Sequence, residues 1–256
     1  MKDNIVCGLH AVLAALKRNP RQIDVIWLRA DRADRRACEI VQAARVGHVK
    51  LQRVPRARLD ELAGTGRHQG IVARTCPASR LDEHDLEAFI AQLAETPLLL
   101  ILDGVQDPHN LGACMRCADG AGAHAVIVPR DRAVSVTATV RRAACGAAES
   151  MPLFQVTNVS RVLRQLKRAG IWLLGASQAA GSELFEADLT GPLAVVLGGE
   201  EKGLRRLTRQ HCDALVSIPM RGIVPSLNVS VAAAVFLYEA VRQRGARVGR
   251  DVRRQG

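Results

Sequence analysis

Short apolar runs alternate with segments of helical periodicity along most of the chain. From residue 98 onward, apolar runs of strand length predict six strands: Leu98–Leu102, Ala125–Val128, Leu153–Val156, Ile171–Leu174, Leu193–Leu197 and Leu215–Ile218. Segments of helical spacing separate most of them: Leu111–Ala121, Val140–Ala148, Val159–Ala169, Leu204–Cys212 and Val229–Arg242. Because buried strands that alternate with helices are typical of parallel sheets covered on both faces, this pattern predicts a mainly parallel α/β domain.

The first 76 residues carry shorter elements of both kinds. The predicted order is helix Gly8–Arg18, strand Val25–Leu28, helix Arg35–Ala44, strand Val49–Val54, a short helix around Leu59–Leu62 and a closing strand Ile71–Ala73. This pattern indicates a small αβ sandwich with basic residues on its loops.

The segment between these two regions contains boundary signals. Cys76–Ser79 begins a connector, and a helical stretch over Leu81–Ala94 ends before Pro97. We therefore predict a first domain over 1–76, a linker over 77–96 and a second domain over 97–244. The basic tail over 245–256 is expected to be disordered.

The charge of the chain is unevenly distributed. The 256 residues carry a net charge of +11, made up of +8 over residues 1–76, −2 over 77–241 and +5 from Arg242 onward. A neutral body between two basic ends indicates a polyanionic partner, most simply nucleic acid. Aromatic residues are only 3% of the chain, which argues against stacking of bases on aromatic side chains as the main mode of RNA recognition. Phosphate recognition is assigned to Lys17, Arg18, Arg21, Arg32, Arg35 and Arg36, although ordinary solvated charges are the alternative for many of them.

Several sequence features indicate the cellular location of the protein and argue against disulfide bonds and a metal site. Seven scattered cysteines do not form a disulfide framework, Met1–Leu16 is too polar for a signal peptide, and the longest apolar runs are far too short to cross a membrane. We therefore expect a soluble cytoplasmic protein without a membrane partner. Cys114 and Cys117 have the C-x-x-C spacing of metal sites, but no second ligand pair lies nearby, so we interpret them as small buried apolar residues and expect no metal.

Three loops follow apolar strands at what should be the ligand-binding edge of the sheet. They are Asp103–Gly112 running into Arg116, the glycine-rich Gly198–Gly203, and Ile218–Met220 followed by Ser226–Ala232. Each alone has an ordinary structural interpretation as a capped helix, a tight turn or a helix start. The glycines fit neither a P-loop nor a G-x-G-x-x-G fingerprint, which argues against a Rossmann-type dehydrogenase or methyltransferase.

Residues in these loops are assigned structural positions. Asn110 is predicted to cap the helix that follows it, and Ser226 or Asn228 to cap the long C-terminal helix. Glu200 is predicted to be buried, so that it needs a partner such as Arg116 or a ligand.

Taken together, the loops resemble the motifs of the SpoU (TrmH) family of RNA ribose 2′-O-methyltransferases, in the SPOUT superfamily. The pattern N-x-G-x-x-x-R lies at Asn110–Arg116 and G-x-E-x-x-G at Gly198–Gly203; the third motif comprises Ile218–Met220 and Ser226–Ala232. Near the N-terminus, Gly8–Val12 and His68–Ile71 resemble the L30e-like substrate-binding domain of this family.

The resemblance implies a C-terminal α/β domain with a deep trefoil knot, a homodimer, and S-adenosylmethionine (SAM) bound by the second and third motif loops. The cofactor contacts carried over from the family are Gly198, Ile218 and Leu227, and we predict that Leu197, Gly199, Pro219 and Met220 belong to the same cofactor site. The catalytic residue carried over is Arg116, and we predict that Asn110, Glu200, Ser226 and Asn228 complete the catalytic group. The implied activity is 2′-O-methylation of a guanosine ribose in 23S rRNA. Methylation of tRNA, or a silent RNA-binding role in ribosome assembly, are the alternatives.

Arg116 is the residue that the family resemblance casts as catalytic, sometimes as the base. A guanidinium has a pKa above about 12 and is a poor base, so we interpret Arg116 as a phosphate or ribose clamp that also stabilises the developing alkoxide. Glu200 would then orient Arg116 or accept the proton, while Asn110, Ser226 and Asn228 shape the pocket.

Overall fold

The computed structural model describes residues 5–18, 20, 23–75, 81–131, 134, 136–200 and 202–254. Side chains are described up to residue 246, apart from that of Arg18. Two compact units emerge, one formed by residues 1–79 and 136–150 and the other by residues 80–135 and 151–256. Within the described residues, no helix is both long enough and apolar enough to cross a membrane.

The first unit is a four-stranded mixed sheet with helices on both faces. Its strands, in the spatial order β1-β4-β2-β3, are β1 (Ile5–Cys7), β4 (Ile71–Thr75), β2 (Ile23–Arg29) and β3 (Lys50–Val54). Its helices are α1 (Leu9–Arg18), α2 (Arg35–Val46) and α3 (Arg56–Ala63). Alternate residues of β2 point to opposite faces: Ile26 and Leu28 join the core with α1 and α2, while Val25 and Trp27 pack with Leu59 of α3.

Two further helices belong to this unit although they lie much later in the chain. They are α6 (Ala138–Ala144) and α7 (Ala147–Ser150), where one helix over Val140–Ala148 is predicted. Cys145 and Gly146 break the helix with φ angles of 51° and 104°. A Cβ on Gly146 would lie 3.5 Å from the Ala14 Cβ, so the small residues of α1 allow α7 to pack closely. The predicted second domain over 97–244 therefore differs from the structure in this segment.

The second unit contains a seven-stranded sheet in the order β7-β6-β5-β10-β8-β11-β9, and every neighbouring pair is parallel. The strands are β5 (Leu98–Asp103), β6 (Ala125–Pro129), β7 (Leu153–Val156), β8 (Trp172–Ala176), β9 (Ser182–Glu183), β10 (Leu193–Gly198) and β11 (Ala214–Ser217). The prediction of a mainly parallel sheet is confirmed, and β9, which is only two residues long, is the strand it missed. The trefoil knot stays a prediction, because strand order alone does not record how a loop is threaded.

Helices cover both faces of this sheet. They are α4 (Glu83–Ala91), α5 (Pro108–Gly120), α8 (Val159–Arg168), α9 (Arg206–His211) and α10 (Val229–Arg254). Leu99 and Ile101 of β5 share a core cluster with Leu86 of α4 and Leu163 of α8. The intervening β5 residues therefore face the side where α5 and α10 pack against each other.

The predicted linker and tail differ from the structure. Residues 76–80 lie outside the described part, but α4 belongs to the second unit, where Leu86 is fully buried and the Phe89 ring lies 5.2 Å from that of Phe154. A capping box formed by Asp82 and Asp85 begins α4. At the other end, α10 continues to Arg254 through most of the tail for which disorder is predicted.

Candidate functional site

The three motif loops lie at the carboxyl edge of the parallel sheet. The first follows β5, the second follows β10, and the third begins after β11. Asp103 at the end of β5 pairs in register with Gly198 at the end of β10. β10 and β11 flank β8 on either side, so the second and third loops leave the sheet about 10 Å apart, on the same edge.

A chain of side-chain hydrogen bonds joins one residue from each motif. Asn228 Nδ2 donates to Asn110 Oδ1 at 3.1 Å, and Asn110 Nδ2 donates to Glu200 Oε1. Residues 118 positions apart thus meet at one site. Asn110, Glu200 and Asn228 therefore lie in contact at one site, as we predicted from the positions of their loops.

Asn110 reaches Glu200 because it does not cap its helix, so the predicted cap is wrong. α5 begins at Pro108, and the Asp107 carboxylate accepts from the backbone N–H of His109 at 2.8 Å. Proline is pre-organised for the first helical position and needs no N–H partner there. Asn110 therefore lies inside the first turn, with its amide available for the other two motifs.

Glu200 is exposed, which corrects the prediction that it is buried. The hydrogen bond described for it comes from Asn110 rather than from Arg116. Arg116 is also exposed on α5. Both charged groups remain hydrated, so neither needs the buried ion pair that the sequence suggested. Glu201 lies outside the described residues.

The Gly198–Gly203 turn is closed tightly by its own backbone. The Gly203 N–H donates to the Gly199 carbonyl at 2.9 Å, and a Cβ added to Gly198 would lie 2.0 Å from the Gly203 carbonyl carbon. Only glycine fits at that crossing. A Cβ added to Gly199 would lie 2.8 Å from the Gly104 carbonyl oxygen of the first motif loop, so at both glycines the turn has backbone where a side chain would otherwise stand, which suits binding of a planar ring by backbone groups.

The remaining predicted cofactor residues supply apolar surface. Leu197 is buried in β10, whereas Ile218, Pro219 and Met220, just after β11, and Leu227, just before α10, are half-buried. Adenine rings bind in apolar slots that also offer a few backbone donors and acceptors. These apolar side chains, together with the backbone of the glycine-rich turn, fit the adenine ring of SAM.

The start of α10 is capped by Asn228 and not by Ser226. Asn228 Oδ1 accepts from the backbone N–H of Ser230 at 2.8 Å and from its hydroxyl at 2.7 Å. Ser226 is exposed in the preceding loop. Of the two caps that the sequence allowed, the structure selects the one that also contacts Asn110.

The two cysteines of the C-x-x-C segment lie on α5. Cys114 is fully buried, and this burial, with smaller contributions from Cys117 and Glu200, raises the pKa of its thiol to about 12. Burial also raises the pKa of the Cys117 thiol. Thiols with raised pKa values are poor metal ligands and nucleophiles. Across the described segments, no three His, Cys, Asp or Glu side chains come together as a metal-binding group.

The basic residues assigned to RNA separate into different environments in the first unit. Arg35 and Arg36 are exposed at the start of α2, and Lys17 pairs with Glu39 at 3.1 Å. Arg32 is half-buried and donates to Asp34 and to the Gln69 carbonyl, so its guanidinium already holds a loop together. The side chain of Arg18 and all of Arg21 lie outside the described residues.

One feature near the motifs was not singled out from the sequence. A cleft of about 540 Å³ opens beside the end of β5, lined by Asp103, Pro129, Asp131, Thr157, Asn158, Val159, Ser160, Arg205, Arg206, Leu207 and Thr208. The predicted cofactor residues do not line it. The available signal was an aspartate at the carboxyl end of an otherwise apolar strand, a position that often faces ligands in α/β sheets.

Comparison with known proteins gives matches across both units. The family model described as SpoU rRNA methylase matches residues 97–238, and the one described as RNA 2′-O ribose methyltransferase substrate binding matches residues 5–81. A relative in Shewanella oneidensis, the 23S rRNA (guanosine-2′-O-)-methyltransferase RlmB, is 53% identical over 95% of this chain and 98% of its own length.

Solved structures with this fold include other members of the family. The SpoU methyltransferase AviRb from Streptomyces viridochromogenes, 28% identical, superposes with a TM-score of 0.77 over 95% of this chain and 90% of its own. It has also been solved with AdoMet, where the TM-score is 0.75. A TrmH/SpoU tRNA modifying enzyme from A. aeolicus, 26% identical, covers 64% of this chain and 83% of its own, with a TM-score of 0.55. Motifs, sheet topology and both profile matches agree: the chain belongs to the SpoU rRNA methylase family.

Proposed function

We propose that this chain transfers a methyl group from SAM to the ribose 2′-hydroxyl of a guanosine in 23S rRNA. The observation that carries the proposal is the hydrogen-bonded chain from Asn228 through Asn110 to Glu200, which joins one polar group from each motif. The RlmB relative, at 53% identity over 95% of the chain, supports the choice of substrate. The RlmB relative is a bacterial enzyme named for 23S rRNA, which supports a cytoplasmic location for this chain.

The cofactor is assigned to the loops that follow β10 and β11. The Gly198–Gly203 backbone and the half-buried Ile218, Met220 and Leu227 would hold it. When bound, SAM supplies an activated methyl group on a sulfonium. The chain must then align the 2′-hydroxyl in line with that group and assist the loss of its proton.

Glu200 is the carboxylate that accepts this proton. Asn110 holds one of its oxygens by hydrogen bonding, and Asn228 fixes the Asn110 amide in turn. Arg116 binds the phosphate or ribose and stabilises the developing alkoxide. Ser226, exposed in the loop before α10, completes the wall of the pocket.

RNA capture is assigned to the first unit. Its basic residues Lys17, Arg18, Arg21, Arg35 and Arg36 would contact phosphates, and the family match over residues 5–81 supports a substrate-binding role. Arg32 contributes by shaping the loop that it holds. Such contacts carry little sequence information, so the target nucleotide must be selected elsewhere.

The active species is a homodimer. α10 exposes Val231, Tyr238 and Val241, whose exposed fractions are 47%, 51% and 37%. Their spacing of seven and three residues places them on one helix face. An apolar helix face of this kind is stabilised when a second copy of the chain covers it.

Methyl transfer tests the reaction and the substrate together. The protein is incubated with labelled SAM and, separately, protein-free 23S rRNA, 16S rRNA and tRNA, and the modified ribose is located by its resistance to alkaline cleavage. We expect one protected guanosine in 23S rRNA. Binding of SAM without label in any RNA, including 23S rRNA in precursor ribosomal particles, would instead support a silent RNA-binding factor.

A second candidate substrate is tRNA. The A. aeolicus tRNA modifying enzyme covers only 64% of this chain. Label found in tRNA alone would retain the chemistry and overturn the rRNA assignment. The RlmB relative, which matches 95% of this chain, favours rRNA.

A further inference from the structure

A buried carboxylate lies at the end of β5, where the first motif loop begins. Asp103 is 1% exposed, and both of its oxygens are covered by residues at the start of α9. Its Oδ2 accepts a hydrogen bond from Thr208 Oγ1 at 2.6 Å, and its Oδ1 lies 3.3 Å from the Arg205 guanidinium. Because a buried charge without a partner is costly, Asp103 strongly favours the arrangement in which both partners are in place.

Arg205 comes shortly after the glycine-rich turn that is assigned to the cofactor. The turn begins at Gly198, which pairs in register with Asp103, and ends at Gly203, two residues before Arg205. Both ends of the turn are therefore attached to the end of β5, the first by strand pairing and the second by an ion pair. The second attachment depends on one side chain, so a substitution can remove it.

The guanidinium of Arg205 also packs against the first motif loop. Gly104 has a φ of 101°, which favours glycine, and a Cβ at this position would lie 3.4 Å from Arg205 Nη2. The Gly104 carbonyl oxygen lies close to Gly199, where an added Cβ would be 2.8 Å from it. Arg205 thus contacts the loop against which the glycine-rich turn packs, and Glu200 is the next residue of that turn.

We propose that Arg205 is a positioning residue of the cofactor site. Its ion pair with Asp103 fixes the end of the Gly198–Gly203 turn, so that the backbone of the turn is arranged for SAM before SAM binds. Glu200, within the turn, is held in place for the 2′-hydroxyl by the same contact. A loop that is already ordered avoids the entropy cost of ordering glycines when the ligand binds. This inference rests on the proposed function, which assigns SAM to this turn.

The test measures the affinity of the protein for SAM by calorimetry, without RNA, under conditions in which circular dichroism shows each variant to be folded. Arg205→Ala should weaken SAM binding about ten-fold, because the cofactor must then order the turn. Arg205→Lys retains a positive charge beside Asp103 and should bind SAM within about three-fold of the wild-type affinity, since a single charged contact does not require the planar fork of arginine.

Arg206→Ala is the matched control. Arg206 is the next residue and is exposed at the rim of the same cleft. It should retain the wild-type affinity for SAM. Both alanine variants remove one positive charge, so an equal loss of RNA affinity in the two, with SAM binding unchanged, would assign Arg205 to phosphate attraction and overturn its positioning role.

Two further variants test whether Arg205 acts through Asp103. Thr208→Val removes the other partner of Asp103 with little change of shape and should weaken SAM binding about three-fold. Asp103→Asn combined with Arg205→Ala should bind SAM no more weakly than Arg205→Ala alone, because both changes break the same contact.

Wild-type affinity for SAM in both Arg205→Ala and Thr208→Val would overturn the inference, as would losses that add up in the double variant. Should Arg205→Ala fail to fold, Thr208→Val decides alone, and an unchanged affinity in it overturns the inference. Failure of the proposed function has a different signature: the wild-type protein would bind SAM but methylate no RNA, and the affinities of the variants would still decide the role of Arg205.

Discussion

Asn228 serves the helix and the reaction site through different atoms of the same amide. Its Oδ1 caps α10 by accepting from Ser230, and its Nδ2 donates to Asn110. Asn110 in turn holds Glu200. We therefore propose that single residues at this site have both a structural and a chemical role, which substitutions can separate.

Asn228→Ser should separate those roles. Serine caps a helix about as well as asparagine but has no group that replaces Nδ2. We expect the free energy of unfolding in urea to change by less than about 0.5 kcal/mol, while kcat falls about ten-fold because Asn110 and Glu200 lose their alignment. Thr137→Ser, at the cap of α6, is the matched control and should change neither quantity. An unchanged kcat in Asn228→Ser would show that the contact with Asn110 is dispensable.

Arg116→Ala should lower kcat by about 100-fold or more, with unchanged affinity for SAM, because a cation that stabilises developing charge acts mainly in the transition state. Arg116→Lys should recover little of the rate, since the planar fork is lost. Arg164→Ala removes a comparably exposed guanidinium from α8 and should leave kcat near the wild-type value. Near-full turnover by Arg116→Ala with normal RNA binding would contradict the role of Arg116 as a clamp on the phosphate or ribose.

At the scale of elements, buried polar groups hold helices to positions that apolar packing alone does not specify. Arg244 of α10 donates to the carbonyl oxygens of Thr96, Pro97, Leu189 and Gly191 at 2.7 to 3.3 Å. In the first unit, Glu149 of α7 pairs with Arg141 of α6 at 2.9 Å. The Arg244 contacts connect segments 53 to 148 positions apart, whereas the Glu149–Arg141 pair joins two consecutive helices.

Arg244→Lys should destabilise the second unit by about 2 kcal/mol, because an ammonium cannot reach four carbonyl groups spread around a planar fork. The measurement is the free energy of unfolding in urea, followed by tryptophan fluorescence. Arg209→Lys, on the exposed side of α9, is the control and should cost less than about 0.5 kcal/mol. Equal stability of the two variants would mean that the carbonyl groups are satisfied without Arg244.

Glu149 gives the first unit a dependence on pH. Burial raises the pKa of this carboxyl above its ordinary value of 4.5, against the opposing effect of Arg141. A raised folded-state pKa means that the contribution to stability is present below about pH 4.5 and is lost as pH rises through the folded-state pKa. Glu149→Gln should abolish this decrease of the unfolding free energy with rising pH, measured by urea unfolding between pH 4 and 7. Glu87→Gln, exposed on α4, should retain it; an unchanged slope in Glu149→Gln would assign it to other groups.

At the scale of the whole molecule, charge and apolar surface are separated. The net charge of +8 lies in residues 1–76, whereas the motif residues belong to the nearly neutral part of the chain. Long-range attraction for RNA and the methylation chemistry are therefore assigned to different units. The apolar face of α10 is a third surface, which we propose a second copy of the chain covers.

Val231→Glu combined with Tyr238→Glu should convert the dimer to a monomer in light scattering, because two buried carboxylates at the interface would lack partners. We expect methyl transfer to fall at least ten-fold in the monomer. Val46→Glu places a charge on another exposed apolar position, on α2, and should leave the dimer intact. A wild-type protein that is monomeric at micromolar concentrations would contradict the homodimer.

The sequence by itself determined the parallel sheet, most of its helices and the three motif loops. Strands such as Leu98–Asp103 are apolar up to their last residue because both faces are buried, so each can be recognised from a short stretch of sequence. The loops were found because ligands gather at the carboxyl edge of such sheets. Local propensity and burial require no knowledge of distant residues.

Only the tertiary structure decided which polar groups meet. Asn110, which the sequence predicts to be a helix cap, is instead hydrogen-bonded to Glu200, and α7 packs in the first unit. Asp103 is a buried carboxylate beside a cleft. Each of these depends on contacts between residues about 90 or more positions apart, whose geometry follows from strand order and helix packing. No periodicity within a window of one helix or strand encodes such contacts, which is why they had to be observed.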